Sequence, residues 1–414
     1  MPDPRRSALL LLALAAAVGC TPRHRCCAPP QLTRASGLVA LDPTPDESAL
    51  VETELLRTFA DTNRTAHAPG DSPAKPTKLL ALSGGGMYGA YTVGVLGGWT
   101  EAGTRPCFDV VTGVSTGALV ATYAFLGTAY DRPMIDLYTT ISDRDIYRRR
   151  PAAAVIWSDS AASSAPLKKL IAAQVDDALL AEVAKAHAGG RRLYVGTTNI
   201  DTRRLVIWDM GAIASDPRPG AKELYRDVLL ASASVPGFFP PVRIEVEVNG
   251  RPVAEMHVDG GATTGVFLRA STLHVDAAAL KAGRKPLAGS DAYVIVAGKL
   301  FSDPVCTSQR TLRIGESALQ SVLYSQTRGE LFRIYTLCLL GGMNYHLAAI
   351  PEDFKTGTDA MGFDPAEMRR LYEAGRAAVA GGRAWRDTPP GGEKHEQTRP
   401  RTGTRFLAPG AGGS

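Results

Sequence analysis

One serine lies in a pentapeptide whose residue types are typical of a nucleophile turn. The segment Gly113-Val114-Ser115-Thr116-Gly117 follows a short apolar run that begins at Phe108, and it precedes an Ala- and Leu-rich stretch that ends at Leu126. This order predicts a strand, a sharp turn and a helix, with the Ser115 hydroxyl held out at the turn. Gly113 and Gly117 permit the strained backbone that such a turn requires. Because the chain contains 42 glycines, the motif alone is weak evidence for chemistry.

A glycine cluster upstream strengthens this interpretation. The segment Ser83-Gly84-Gly85-Gly86 follows an apolar run that ends at Leu82, and it precedes a helix predicted to begin near Tyr88. Acyl transfer to a serine needs backbone N–H groups that bind the tetrahedral oxyanion. Glycines leave their amides open to a substrate, and the amino-terminal end of a helix favours negative charge. The two clusters together therefore predict an acyl-transfer site.

The same glycines also fit a dinucleotide-binding pattern. The segment from Gly84 to Gly89 matches G-x-G-x-x-G between a predicted strand and a predicted helix, and Asp109 follows as a candidate ribose-binding acid. Two observations disfavour this alternative. Asp109 begins its predicted strand, whereas a ribose-binding acid belongs at a strand end, and the serine turn occupies the place of that acid. A P-loop is excluded because no Gly-Lys-Ser/Thr follows the glycines.

The base that would activate Ser115 is not fixed by the pattern. A serine hydroxyl is a poor nucleophile until a base removes its proton. Four histidines are candidates, and His346 is the best placed of them: His187, His257, His274 and His346. Asp259 is the other candidate, because it ends a predicted strand immediately before Gly260-Gly261.

Four segments, taken in order, resemble the motifs of patatin-like phospholipases. They are Gly84 to Gly89, Gly113 to Gly117, Ala231 to Pro241, and Asp259-Gly260-Gly261. The resemblance covers residues 78 to 380. It implies an α/β fold of three layers, α/β/α, around a mainly parallel central sheet. It also implies a lipid acyl hydrolase of the phospholipase A type that forms an acyl-enzyme. No cofactor is expected, and calcium dependence is not indicated because the sequence has no EF-hand-like loop of carboxylates.

The resemblance also implies a role for each site residue. Ser115 is the expected nucleophile and Asp259 the expected base of a Ser–Asp dyad, so no histidine is needed. The expected oxyanion hole consists of Gly84, Gly85 and Gly86, and the expected supporting glycines are Gly113, Gly117, Gly260 and Gly261. Because aspartate has a reference pKa of about 3.9, Asp259 must act through close hydrogen-bond geometry, assisted by desolvation.

Two positions depart from the family pattern. Ser83 stands where the family has Asp, and Tyr88 stands where the family has Arg or Lys. The second departure removes a cation near the predicted oxyanion loop. It motivates an alternative hypothesis, in which the chain is a catalytically weak or inactive lipid-binding lipoprotein of the cell envelope. A probe that labels active serines distinguishes the two hypotheses.

The strand and helix pattern agrees with the fold that the resemblance implies. Short apolar strands alternate with helices, which predicts a parallel sheet covered on both faces. Further predictions are one helix from Leu167 to Ala188, a hairpin around Asn249-Gly250, a long helix from Thr311 to Leu340 and a last helix opened by Pro365.

The amino-terminal residues resemble a bacterial lipoprotein signal. Arg5 and Arg6 precede a short apolar run that ends in Ala17-Val18-Gly19-Cys20. The predicted divisions are a signal peptide (1–19), a lipidated Cys20 with a Pro-rich tether (20–76), the acyl hydrolase domain (77–382) and a disordered tail (383–414). Lipid on Cys20, followed by Thr21 rather than Asp, predicts anchoring in the outer membrane of a Gram-negative cell envelope.

Composition narrows the partners. The formal charge is +5 over 414 residues, which argues against a dedicated nucleic-acid binder. The cysteines show no metal-ligand spacing. The patatin-like resemblance and the lipoprotein-type signal imply membrane lipids as the expected partners, as substrate and as anchor.

Overall fold

The fold was analysed in a computed structural model of the full chain. It describes residues 40–41, 76–155, 157–248, 251–273, 280, 283–301, 311–356 and 360–390. The predicted signal peptide, Cys20, His274, Asn249-Gly250 and the tail beyond residue 390 lie outside these ranges. The predicted domain boundaries stay predictions.

The described residues form alternating strands and helices. The strands are β1 (Ala40–Leu41), β2 (Lys78–Leu82), β3 (Val110–Val114), β4 (Arg148–Arg149), β5 (Ala162–Ser163), β6 (Arg192–Asn199), β7 (Arg204–Asp209), β8 (Val242–Val248), β9 (Arg251–Asp259), β10 (Asp291–Val296) and β11 (Asn344–Ala349). The helices are α1 (Gly89–Glu101), α2 (Thr116–Leu126), α3 (Asp131–Thr140), α4 (Asp143–Ile146), α5 (Ala152–Val155), α6 (Ala165–Gln174), α7 (Asp177–Ala188), α8 (Met210–Ala214), α9 (Ala221–Ser232), α10 (Thr311–Gly341) and α11 (Pro365–Ala380).

One large sheet organises the described residues. Its strand order is β1-β7-β6-β3-β2-β10-β11, and β9 pairs with both β6 and β8. The run from β6 to β11 is parallel, whereas β7 and β9 are antiparallel to β6 and β1 is antiparallel to β7. The predicted fold class, α/β with a mainly parallel central sheet, is confirmed. The predicted hairpin is also confirmed, because β8 and β9 pair antiparallel on either side of residues 249–250.

Strand β2 shows how the sheet separates two apolar cores. Successive side chains of a strand point to opposite faces. Leu80 and Leu82 accordingly pack in the core beneath α1, α2 and α9, while Leu79 and Ala81 pack in the core that α10 covers. Helices therefore lie on both faces of the sheet, and the carboxyl ends of its parallel strands meet at one edge.

The predicted single helix from Leu167 to Ala188 is wrong. The chain forms α6 and α7 instead, because Asp176 has extended backbone and its carboxylate accepts the N–H of Leu179 at 2.8 Å, which caps α7. The guanidinium of Arg226 donates to the carbonyls of Ala172 (3.0 Å) and Val175 (3.0 Å), which satisfies groups at the end of α6.

Among the described residues, no helix combines the length and apolar character that crossing a bilayer requires.

Candidate active site

Ser115 lies at a strained turn between β3 and α2. Its φ of 55° is one of two positive values among the described non-glycine residues, and such a backbone is costly for a residue with a side chain. The N–H of Ser115 donates to Ser232 Oγ at 2.9 Å, and the Ser232 hydroxyl donates to the carbonyl of Gly196 at 2.7 Å. Ser232 therefore ties the turn to β6 and holds the strained conformation in place.

The glycines that flank Ser115 allow close packing around the turn. A Cβ at Gly117 would lie 2.5 Å from the carbonyl oxygen of Ser83, and one at Gly113 would lie 2.5 Å from the carbonyl oxygen of Gly117. A side chain at Gly117 would force α2 away from the end of β2, and one at Gly113 would force α2 away from β3. The sequence pattern around Ser115 thus reflects the approach of these backbones.

The register of β6 brings Asp259 to Ser115. Val114, the last residue of β3, pairs with Gly196, and the next residue of β6, Thr197, pairs with Asp259 of β9. Strand β9 therefore continues along the same edge of β6 where β3 turns away at Ser115. Ser115 Oγ donates to Asp259 Oδ2 at 2.5 Å, a length typical of a hydroxyl bound to a carboxylate.

Two further contacts hold Asp259, one through its carboxylate and one through its backbone. The N–H of Gly261 donates to Asp259 Oδ1 at 2.7 Å, and the N–H of Asp259 donates to the carbonyl of Ser234 at 2.8 Å. A Cβ at Gly260 would lie 2.5 Å from the carbonyl oxygen of Gly196, so the backbone after Asp259 also packs tightly on β6. Each oxygen of the carboxylate thus has a fixed donor.

Burial changes the acidity of Asp259. Desolvation raises the pKa of its carboxyl group to about 6, although the hydrogen bonds from Ser115 and Gly261 act in the opposite direction. A group with this pKa is ionised near neutral pH yet binds a proton much more readily than an exposed aspartate. This combination suits a carboxylate that accepts and returns a proton.

The glycine loop after β2 divides into engaged and open N–H groups. The N–H of Gly84 donates to the carbonyl of Gly265 at 3.0 Å, so it is not available to an oxyanion in this conformation. Among the described residues, the N–H groups of Gly85 and Gly86 have no hydrogen-bond partner. Of the three glycines predicted to form the oxyanion hole, only Gly85 and Gly86 therefore have N–H groups available to bind an oxyanion. Ser83 stabilises the loop, because its hydroxyl accepts the N–H of Ala297 at 2.8 Å.

Tyr88 and Asp109 both make structural contacts away from Ser115. The ring of Tyr88, which replaces the basic residue of the family pattern, packs against the core beneath α1 and α2. Asp109 precedes β3, and its carboxylate accepts the N–H of Lys78 at 2.7 Å at the amino-terminal end of the strands. Asp109 therefore lies at the edge of the sheet opposite Ser115. A ribose-binding acid belongs at the carboxyl ends of the strands, so the dinucleotide alternative is wrong.

The described candidate histidines have other partners than Ser115. His257 is fully buried, with one ring nitrogen 2.9 Å from Thr197 Oγ1 and the other 3.0 Å from Glu255. His346 lies 3.1 Å from Asp291, and His187 lies 3.6 Å from Asp209. Within the described ranges, no group of three or more His, Cys, Asp or Glu side chains is arranged to hold a metal ion.

An apolar cavity opens beside Ser115. It extends between α2, α3, α6 and α9, and Gly86 and Ser115 lie on its wall. Its other lining residues include Leu119, Ile141, Ile146, Leu170, Ile171, Val175, Leu229, Val235, Phe239 and Phe363. A hydrocarbon chain whose ester carbonyl is at Ser115 would find an apolar environment there.

The sequence did not predict the structural roles of Ser232 and Ser234. Both lie in the segment from Ala231 to Pro241, which was used for its resemblance alone, and both are fully buried. Ser232 fixes the backbone of Ser115, while the carbonyl of Ser234 fixes the backbone of Asp259. The only sequence signal was two serines spaced two residues apart at the end of an amphipathic helix.

The fold is of the mixed α/β class, with a mainly parallel central sheet between helical layers. Residues 80–270 match the family model described as patatin-like phospholipase. This segment of the chain is therefore similar to patatin-like phospholipases, a family of lipid ester hydrolases. The resemblance predicted from the motifs is confirmed.

Two solved structures are similar over most of the chain. The first is VipD from Legionella pneumophila, with 13% identity, a TM-score of 0.37, and coverage of 78% of this chain and 72% of VipD. The second is the type III effector ExoU, with 15% identity, a TM-score of 0.33, and coverage of 75% of this chain and 53% of ExoU. Comparison with curated protein sequences returned no significant match.

Proposed function

We propose that this chain is a serine-dependent lipid acyl hydrolase in which Ser115 is the nucleophile and Asp259 the general base. The observation that carries the proposal is the 2.5 Å hydrogen bond from Ser115 Oγ to Asp259 Oδ2 at the wall of an apolar cavity. The cavity suits the acyl chain, and the hydrogen bond gives the serine a proton acceptor before any substrate binds.

In the first half of the reaction, Ser115 Oγ attacks the ester carbonyl carbon while its proton passes to Asp259 Oδ2. The tetrahedral oxyanion is bound by the open N–H groups of Gly85 and Gly86. Asp259 then returns its proton to the leaving alkoxide, the C–O bond breaks, and the alcohol departs. The product left on the protein is an acyl ester of Ser115.

In the second half, water takes the place of the alcohol. Asp259 accepts a proton from the water as its oxygen attacks the acyl carbonyl, and the same two N–H groups bind the second oxyanion. Collapse of this intermediate breaks the bond to Ser115 Oγ, which recovers the proton from Asp259. A free fatty acid is released, and the site returns to its starting state.

A fluorophosphonate probe tests the nucleophile directly. The wild-type protein should become covalently labelled and should release fatty acid from a phospholipid or a p-nitrophenyl ester. Ser115→Ala should lose both properties, because it removes the only atom that attacks. Ser321→Ala, which alters an exposed serine of α10, should keep both.

The same measurement separates the enzyme from the alternative. A folded wild-type protein that takes up no probe would favour the lipid-binding lipoprotein suggested by Tyr88. Labelling of Ser115→Ala at the wild-type rate would overturn the assignment of the nucleophile.

We further propose that the mature protein is anchored in the cell envelope through a lipid on Cys20, with membrane phospholipids as its substrate. The support is the lipoprotein-type signal that ends in Ala17-Val18-Gly19-Cys20. Mass spectrometry of the membrane fraction should find an amino-terminal peptide that begins at Cys20 and carries acyl groups. An unmodified terminus at another residue would contradict the anchor, and Cys20→Ser should leave the protein in the soluble fraction.

A further inference from the structure

Two of the helices that line the cavity beside Ser115 each contribute a single stripe of side chains. Helix α2 contributes Thr116, Leu119, Thr122 and Tyr123, and helix α6 contributes Leu167, Leu170, Ile171 and Gln174. Residues three, four and seven apart lie on one face of a helix, so each stripe runs along its helix axis. Ser115 lies at one end of the α2 stripe, immediately before Thr116.

Both stripes end at one hydrogen bond. The hydroxyl of Tyr123 donates to Gln174 Oε1 at 3.1 Å. Tyr123 is buried, whereas Gln174 is partly exposed and is the last residue of α6. The pair thus joins the ends of the two stripes, at the end of the α2 stripe that is remote from Ser115.

Hydroxyl groups along the cavity wall are already paired with each other. Thr116 Oγ1 lies 2.6 Å from the hydroxyl of Tyr138, and Thr122 Oγ1 lies 2.9 Å from the hydroxyl of Tyr225. These groups need no polar ligand, and the threonines are left to present their methyl groups. The interior of the cavity therefore favours a hydrocarbon over a polar chain.

The length of the α2 stripe limits that hydrocarbon. Ser115 and Tyr123 are eight residues apart, which is about 12 Å along a helix. An extended chain advances about 1.2 Å per bond, so this distance holds a chain of about ten carbons. A longer chain would meet the Tyr123 ring while the hydrogen bond to Gln174 is closed.

We propose that the Tyr123–Gln174 pair closes the acyl pocket and sets its upper chain length at about ten carbons, which makes medium-chain acyl esters the preferred substrates. This inference rests on the proposed role of Ser115, because the carbonyl must be at that residue for the length to be counted. Within the pocket each further methylene should raise kcat/KM about fourfold. For acyl chains long enough to pass the Tyr123–Gln174 pair, kcat/KM should stop increasing.

Hydrolysis of p-nitrophenyl esters from hexanoate to hexadecanoate tests the proposal. In the wild type, kcat/KM should rise to about decanoate and then level off or fall. In Tyr123→Ala the rise should continue to longer chains, so that the ratio of kcat/KM for tetradecanoate to that for decanoate increases by about 10²-fold. Gln174→Ala, at a partly exposed position, should shift the preference in the same direction with less risk to folding.

Tyr335→Ala is the matched control. Tyr335 packs against Tyr345 in the other core, with ring centroids 5.3 Å apart, and it does not line the cavity. Its loss should leave the dependence on chain length unchanged. An identical profile in the wild type, Tyr123→Ala and Gln174→Ala would overturn the proposal even if all of them hydrolyse esters.

Binding of free fatty acids separates this inference from the proposed catalysis. Thermal shift of Ser115→Ala with saturated fatty acids of increasing length should show the same limit near ten carbons, and the Ser115→Ala/Tyr123→Ala double variant should move it to longer chains. If the wild type hydrolyses no ester but the fatty acids still show this length limit, the proposed catalysis is contradicted and the acyl pocket is supported. Fatty acids that fail to stabilise the protein, or do so without a length limit that Tyr123 controls, would refute the acyl pocket.

Discussion

Replacing Asp259 with asparagine should remove ester hydrolysis and, above about pH 6, make the folded protein more stable. An asparagine at position 259 keeps the shape of the side chain. Its carbonyl oxygen would still accept the N–H of Gly261, and its amide would donate to Ser115 Oγ, so both contacts survive. The variant lacks a base, and loss of general-base catalysis should lower kcat by about 10²–10⁴-fold or more.

The stability gain follows from the raised pKa of Asp259. Burial lifts this pKa from its ordinary value near 3.8 to about 6, so the folded state binds the proton more tightly than the unfolded state. The free energy of unfolding therefore decreases as pH rises from about 4 to about 6, and above that range the cost is about 3 kcal/mol. Asparagine has no charge to bury and avoids this cost.

Urea unfolding at pH 4 and pH 8 measures the effect. Asp259→Asn should be more stable than the wild type at pH 8, and the difference should nearly vanish at pH 4. In the wild type, kcat/KM should increase as pH rises through about 6, when Asp259 becomes a carboxylate. A stability difference that is independent of pH, or a rate without an inflection near pH 6, would contradict the assigned ionisation.

Replacing Gly86 with alanine should disable the predicted oxyanion hole while Ser115 and Asp259 stay in place. Gly86 has a φ of +56°, and a Cβ there would lie 2.0 Å from the carbonyl oxygen of Ala360. The loop must move to relieve this contact with backbone, and its N–H groups would then point away from the oxyanion. Loss of such donors should lower kcat by about 10²–10³-fold. Steady-state kinetics with a p-nitrophenyl ester measures it.

Gly103 supplies the control for that variant. Its φ is +70°, but a Cβ there would meet no atom within 4 Å. Gly103→Ala should therefore cost about 1–2 kcal/mol in free energy of unfolding from backbone strain, with kcat unchanged. If Gly86→Ala loses no more activity than Gly103→Ala, the loop does not bind the oxyanion.

Local signals accounted for the parts of the molecule that depend on neighbouring residues. The strand that ends at Leu82, the turn at Ser115 and the hairpin of β8 and β9 follow from apolar runs and glycines close in sequence. The break between α6 and α7 was missed because apolar periodicity continues through it. Only the cap formed by Asp176, together with the distant Arg226, decides that the helix stops.

The site was foreseen in its residues but not in its hydrogen bonds. The resemblance named Ser115, Asp259 and the three glycines, and the structure brings these residues together. The hydrogen bond of the Gly84 N–H depends on Gly265, which lies far along the chain and outside all four motifs. Likewise, the hydroxyl of Ser232 reaches Ser115 across 117 positions. Sequence patterns alone do not show which of several backbone N–H groups will donate to the carbonyl of a residue far along the chain.

The shared use of β6 has a consequence for the order of folding. Ser115 and Asp259 are 144 positions apart, and they meet only after β3 and β9 have both paired with β6. Contacts of such long range form slowly, because a large loop must close first. A nascent, truncated or partly refolded chain thus displays a serine without its carboxylate partner. Appearance of the hydroxyl–carboxylate contact marks the pairing of both β3 and β9 with β6, so recovery of hydrolysis during refolding would report this long-range closure.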